Sequence, residues 1–153
     1  MAFEDDIRNL ARNPTLAALE PEALRSLARG ATPRSLRAGD ILFCRDEPSE
    51  GGYFLRAGAI ALEQTDYREP HIVRPPALIG DMALIAPTRR PATAVACETS
   101  EVLEIPRTLF QSVLCDSPRS AERLRRVVEK RLRSFVAQLD ELREKISEPL
   151  EER

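Results

Sequence analysis

Tryptophan is absent from this 153-residue chain, histidine occurs once, and aromatic rings come only from five Phe and two Tyr. That leaves little material for a surface that stacks successive nucleic-acid bases. No apolar run approaches the roughly 18 residues of a membrane span. The opening MAFEDDIRN is acidic and lacks the basic-then-apolar order of a secretory signal. Cytoplasm is therefore the expected compartment, with no membrane partner. The single histidine, His71, follows Pro70 in a loop-like stretch. Alone it cannot build a His-rich metal site, and no Ser or Cys stands close by to complete a triad. Cys44, Cys97 and Cys115 are odd in number, far apart and never in a C-x-x-C pair. This argues against a disulfide framework and a zinc site and for plain half-buried thiols. No enzyme activity, catalytic residue, metal or cofactor is expected.

Charge is present but segregated. The net value of −2 hides a basic block from Pro118 to Phe135: Arg119, Arg123, Arg125, Arg126, Lys130, Arg131 and Arg133 stand against Glu122 and Glu129. Beyond it, Asp140, Glu141, Glu144, Glu148, Glu151 and Glu152 outnumber Arg143, Lys145 and Arg153. On a helix such a block reads first as a solvated face.

The length suits one domain with one core, expected over residues 1–153. Apolar residues at helical spacing predict helices over Asp5–Ala11 and Glu22–Ala28, with Pro21 in the first turn and Gly30 as a C-cap. From Pro33 to Ile105 the texture changes to short apolar stretches separated by Gly and Pro turns. Strands are predicted at Ser35–Leu36, Ile41–Cys44, Gly52–Leu55, Ala59–Glu63, Ile72–Val73, Ala92–Cys97 and Glu101–Ile105. Such spacing indicates a barrel, roll or sandwich without choosing among them.

Helix returns at Pro106 to Leu114 and again from Pro118. There Val128, Leu132, Phe135, Leu139, Leu142 and Ile146 step by alternating fours and threes, the rhythm of a two-stranded seam, extended backwards by Leu124. A helix packed on its own domain is the competing interpretation. Pro149 is expected to stop the helix.

One segment carries a chemical pattern. Ile79-Gly80-Asp81-Met82-Ala83-Leu84-Ile85 describes a short helix led by glycine, and Arg89-Arg90-Pro91-Ala92-Thr93 brings an arginine into the next strand. A helix start attracts anions, and an arginine returning to it can grip a phosphate with two parallel hydrogen bonds. A carboxylate there makes sense only if aimed at a neutral donor such as a sugar hydroxyl. The pattern suits a ligand with one phosphate and a free hydroxyl; an ordinary capped turn is the alternative.

Gly80-Asp81-Met82-Ala83-Leu84 followed by Arg90-Pro91-Ala92-Thr93 resembles the phosphate-binding cassette of the cyclic-nucleotide-binding domain family, G-E-x-A-L then R-x-A-[ST]. Leu36 to Phe43, Gly52 to Gly58 and Ala94 to Ile105 with Phe110 are similar to other parts of that family. From Arg90 to the middle of the long helix the chain aligns without a gap with the bacterial catabolite-activator type. The resemblance implies an α+β, mainly β, fold: a double-stranded β-helix or jelly-roll-like β-roll with N-terminal helices and a long C-terminal helix. Its parts would be helices in 1–31, an eight-stranded roll in 32–105 with the cassette at 79–93, and two helices in 106–148.

It also implies ligand-binding roles for Gly80, Asp81, Met82, Ala83, Arg90, Pro91, Ala92, Phe135 and Val136. Arg90 would pair with the cyclic phosphate, the Gly80 backbone would donate, and Asp81 would hold the ribose 2′-hydroxyl. Phe135 and Val136, being apolar, would cap a base without reading its edge. The expected partners are a cyclic nucleotide (cAMP before cGMP), a second copy along the helix seam, and an unidentified protein effector. The helix-turn-helix of transcription-factor members has no counterpart before Arg153, so direct DNA binding is not expected.

Departures are visible as well. Asp81 stands where the family carries Glu. Pro91 removes an N–H that relatives give to the phosphate, worth on the order of 1–3 kcal/mol. Pro76 and Asp46 occupy usual glycine positions. These feed the alternative of a degenerate fold kept as a ligand-independent dimerisation or interaction scaffold. A third interpretation is the sensor part of a transcription regulator.

Overall fold

The computed structural model describes residues 2–64 and 68–151. Two four-stranded antiparallel sheets face each other, flanked by helices at both chain ends. Helix α1 covers Ala2–Leu10, a single 3-10 turn covers Leu16–Ala18, and α2 covers Pro21–Gly30. Eight strands follow: β1 Thr32–Leu36, β2 Ile41–Phe43, β3 Gly51–Ala57, β4 Ile60–Glu63, β5 His71–Val73, β6 Ala77–Ile79, β7 Thr93–Ala96 and β8 Ser100–Pro106. The sheets run β1-β8-β3-β6 and β2-β7-β4-β5. The short helix α3, Asp81–Ile85, interrupts the roll between β6 and β7, and α4, Arg107–Asp116, and α5, Pro118–Glu151, close the chain.

Side-chain alternation along the central strands divides the core in two. Tyr53 and Leu55 of β3 and Val102 of β8 point into the roll, where they meet Leu36, Phe43, Ile60, Ile79 and Ala94. Phe54, Leu103 and Ile105 point the other way, onto Leu16 and Leu27, onto Leu84 of α3, and onto Phe110 and Leu124 of the closing helices. Because side chains switch faces at every residue, one strand pair serves both cores. The α+β fold implied by the resemblance, an eight-stranded β-roll with N-terminal helices and a long C-terminal helix, is therefore the observed one, although helix rather than strand holds most of the ordered residues.

Four local expectations need correction. Strand β6 was not among the predicted strands; three residues after Pro75-Pro76 carry too little alternation to be read as one. The 3-10 turn at Leu16–Ala18 was likewise not predicted. Gly30 is the last residue of α2 rather than its cap, and the cap residue is Ala31 in extended conformation. The lack of a side chain at Gly30 lets α4 come close, since a Cβ would lie 2.7 Å from a methyl carbon of Leu109 and the leucine would have to turn aside. Finally, α5 runs past Pro149 to Glu151. Proline's fixed φ is itself helical, and so near a helix end it forfeits only one backbone hydrogen bond.

Asp46, noted as occupying a turn-glycine position, has φ of +70°. Aspartate tolerates the left-handed region better than most residues, whereas a β-branched side chain does not. Asp46→Val is expected to lower unfolding free energy by about 1–2 kcal/mol in urea titration, and Asp46→Gly to leave it unchanged or slightly higher.

Candidate functional site

Gly80 starts the cassette. It adopts φ +78°, ψ +43°, and its carbonyl accepts the Ala83 N–H at 3.1 Å. A Cβ at Gly80 would lie 2.7 Å from Nη1 of Arg90, so both the left-handed turn and the packed guanidinium demand glycine. The two ends of the predicted motif therefore meet in space.

Arg90 is only 5 % exposed. Its Nη2 donates to the Gly51 carbonyl at 2.7 Å, and its guanidinium carbon lies 4.3 Å from the ring centre of Phe43 and 5.6 Å from that of Tyr53. Burial pulls its pKa below the usual arginine value, opposed by the Tyr53 hydroxyl and the Glu47 carboxylate. Burial first, and then Glu104, push the Tyr53 hydroxyl up. The Arg90 backbone is fixed as well: its N–H donates to the Glu47 carbonyl, and its carbonyl accepts the Asp46 N–H.

Asp81, the first residue of α3, points at the C-terminal helix. Arg131 Nη1 donates at 3.0 Å both to Asp81 Oδ2 and to the hydroxyl of Thr15, and the Thr15 hydroxyl lies 3.4 Å from the same carboxylate oxygen. Thr15 is buried beside the 3-10 turn. Three chain regions thus converge on one oxygen, and no protein donor reaches Asp81 Oδ1 among the described residues. Arg131 was visible in the sequence only as one member of the basic block, and Thr15 carried no signal at all.

Arg107 is the other residue that sequence reasoning missed. From the start of α4 it donates to the Ser49 carbonyl at 3.1 Å and to the Ala83 carbonyl at 2.9 Å, tying the cassette helix to the β2–β3 connection. No motif marks it.

The other expected ligand residues divide. Met82 is half exposed and, with Arg131, Leu132, Ser134, Phe135 and Gln138 of α5, lines a cavity of about 690 Å³. Val136 is exposed and does not line it. Ala83 and Ala92 are buried and Pro91 is exposed. Arg90 lines a separate cavity of about 280 Å³ with Phe43, Gly51, Gly52, Tyr53 and Glu104. Along α5, Leu124 is buried in the helical core and Val128 packs against it. From there the stripe emerges: Leu132, Phe135, Leu139, Leu142 and Ile146 are 47–67 % exposed. Packing on the chain's own domain accounts for the first two positions only.

Among the described residues no group of three or more His, Cys, Asp or Glu is placed to share a metal ion, and no helix is long and apolar enough to cross a membrane. Arg90 is held by its own packing and hydrogen bonding. Truncating it orphans the Gly51 carbonyl, so Arg90→Ala is expected to lower stability by about 1–3 kcal/mol without any ligand, as read by urea titration.

The family profile described as cyclic nucleotide-binding domain matches residues 33–117. A CRP-like cAMP-activated global transcriptional regulator of Mycobacterium tuberculosis is 27% identical over 128 residues, 81% of this chain and 57% of that protein. The chain thus spans a little over half the length of that curated relative. A cyclic nucleotide-binding-like protein from Brucella abortus superposes with a TM-score of 0.67 at 40% identity, covering 72% of this chain and 97% of that one. The N-terminal domain of a transcriptional regulator from Streptomyces coelicolor gives 0.78 at 30% identity, covering 85% and 94%. With the cassette, the roll and these likenesses together, the chain belongs to the cyclic nucleotide-binding domain family.

Proposed function

We propose that this chain is a regulatory module that binds a cyclic nucleotide, cAMP in preference to cGMP, and passes the event through α5 to a protein partner, without catalysing a reaction. The observation that carries the reading is the Gly80–Arg90 contact. Arg90 spends Nη2 on Gly51, and its Nη1 sits against the glycine that opens the cassette. A phosphate at that point would meet Nη1 and the cassette backbone together.

The remaining groups fit the same ligand. Arg131 offsets the Asp81 charge, easing its repulsion of a nearby phosphate, and leaves Oδ1 to accept a ribose hydroxyl. Met82 and Phe135 face one cavity and supply apolar surfaces for a base. Buried Ala83 and Ala92 keep the cassette compact, Pro91 adds no donor, and Val136 lies to the side. A ligand that touches Asp81 necessarily competes with or reinforces the Asp81–Arg131 pair. Binding would therefore bias the position of α5. Its exposed stripe from Leu132 to Ile146 is the surface through which a second copy, and then an effector, would engage.

A second reading is favoured by Pro91, which lacks the phosphate-facing N–H, and by the same unpartnered stripe: a scaffold that dimerises without ligand. Thermal unfolding with and without nucleotide separates the two. At 100 times its dissociation constant, cAMP is expected to add about 2.7 kcal/mol and raise the midpoint by several degrees, cGMP less at equal concentration. Arg90→Ala should lose that rise. An unchanged midpoint with both nucleotides sinks the sensor reading and leaves the scaffold. Light scattering addresses the seam: the wild type is expected to be a dimer at tens of micromolar, and Leu139→Asp with Leu142→Asp a monomer. A monomeric wild type removes the dimer from either reading.

A further inference from the structure

Residues seven apart on an α-helix share a face, drifting by only about 20° per step. On α5 this rule places Leu124, Arg131 and Gln138 in one row. Leu124 is buried in the core, and Arg131 points at Asp81 of the cassette. Gln138 comes next in the row, about 10 Å further along the axis. It lines the same cavity as Met82 and Phe135, and Ser134, one turn earlier, adds a hydroxyl to that wall. Val136 diverges from the row by more than a quarter turn, and it is absent from the wall.

We propose that Gln138 is the specificity-determining residue of this site, reading the edge of an adenine held between Met82 and Phe135. The inference rests on the nucleotide-binding reading above and deepens it. The two apolar side chains supply the faces against which a base can lie, a thioether on one side and an aromatic ring on the other. The carboxamide then presents a donor and an acceptor side by side, which complements the N6 amino group and N7 of adenine. Guanine offers two acceptors, O6 and N7, along that edge, so the amide oxygen would oppose one of them. Lys130 and Arg131, the cationic donors in the same wall, stand about two turns earlier, at the Asp81 end of the cavity and away from Gln138. Gln138 also lies beside the apolar stripe rather than in it, so replacing it leaves Leu132 to Ile146 intact.

The test pairs a protein change with a ligand change, using the full chain and isothermal titration calorimetry. The ligands are cAMP, cGMP and the purine riboside 3′,5′-cyclic monophosphate that lacks the 6-amino group. Gln138→Leu is expected to weaken cAMP about tenfold and to narrow its advantage over cGMP. The analogue without the amino group keeps the N7 acceptor and loses only the bond to the amide oxygen, so Gln138→Leu should weaken it less than it weakens cAMP. Unchanged cAMP affinity in Gln138→Leu overturns the assignment, as does an equal loss for cAMP and the analogue. Absence of binding by the wild type overturns this proposal together with the sensor reading, a result distinct from the other two.

Discussion

Buried between two aromatic rings and a backbone carbonyl, the guanidinium of Arg90 is a charge that the roll must accommodate before anything else can be arranged. Desolvating a cation is costly unless its donors are satisfied. The Gly51 carbonyl, the faces of Phe43 and Tyr53, and the Glu47 carboxylate share that task. Gly80 must then be glycine, because the guanidinium leaves no room for a Cβ. The left-handed turn at Gly80 in turn fixes where α3 starts and which way Asp81 faces. One buried arginine thereby determines the cassette.

The second layer of the architecture is a set of cross-braces, each from a different part of the chain. Arg107 holds α3 to the β2–β3 connection from the start of α4. Arg131 holds it to α5, and Thr15 brings in the N-terminal helical region. Leu84 and Ile85 seat the cassette helix on the core. Polar contacts from Arg107 and Arg131 add to that seating, and a charged ligand can rearrange those more cheaply than the packed side chains.

Legibility in the sequence follows from this division. The Gly80–Thr93 spacing is local, so the motif and the encounter of its two ends could be read directly. The turn residues around Gly39, Gly58 and the Pro75-Pro76 pair divided the β region correctly, apart from the three-residue strand β6. Leu132 to Ile146 stood out by periodicity, and all five apolar residues of the stripe in that span are exposed. What could not be read were long-range polar contacts. Arg107 and Thr15 have no distinguishing neighbours; the carbonyls that Arg107 holds lie 21 to 58 residues away, and the side-chain partners of the Thr15 hydroxyl lie 66 and 116 away. Arg131 was one cation among seven until Asp81 singled it out. Gly30 shows a subtler limit: the residue was noticed, but the cause was a leucine on another helix rather than the turn.

Helix α5 is rooted at Leu124 and Val128, and beyond them the stripe continues outward exposed. From Leu124 to Ile146 the rise of an α-helix gives an arm of about 33 Å. The Asp81–Arg131 pair acts close to the fulcrum, on the short side of that arm. A tilt of about 10° at the root would carry the far end by roughly 6 Å, a full helical turn's worth of travel. The geometry therefore amplifies displacement: a shift too small to disturb the roll becomes, at the tip, a sideways movement that a partner can detect.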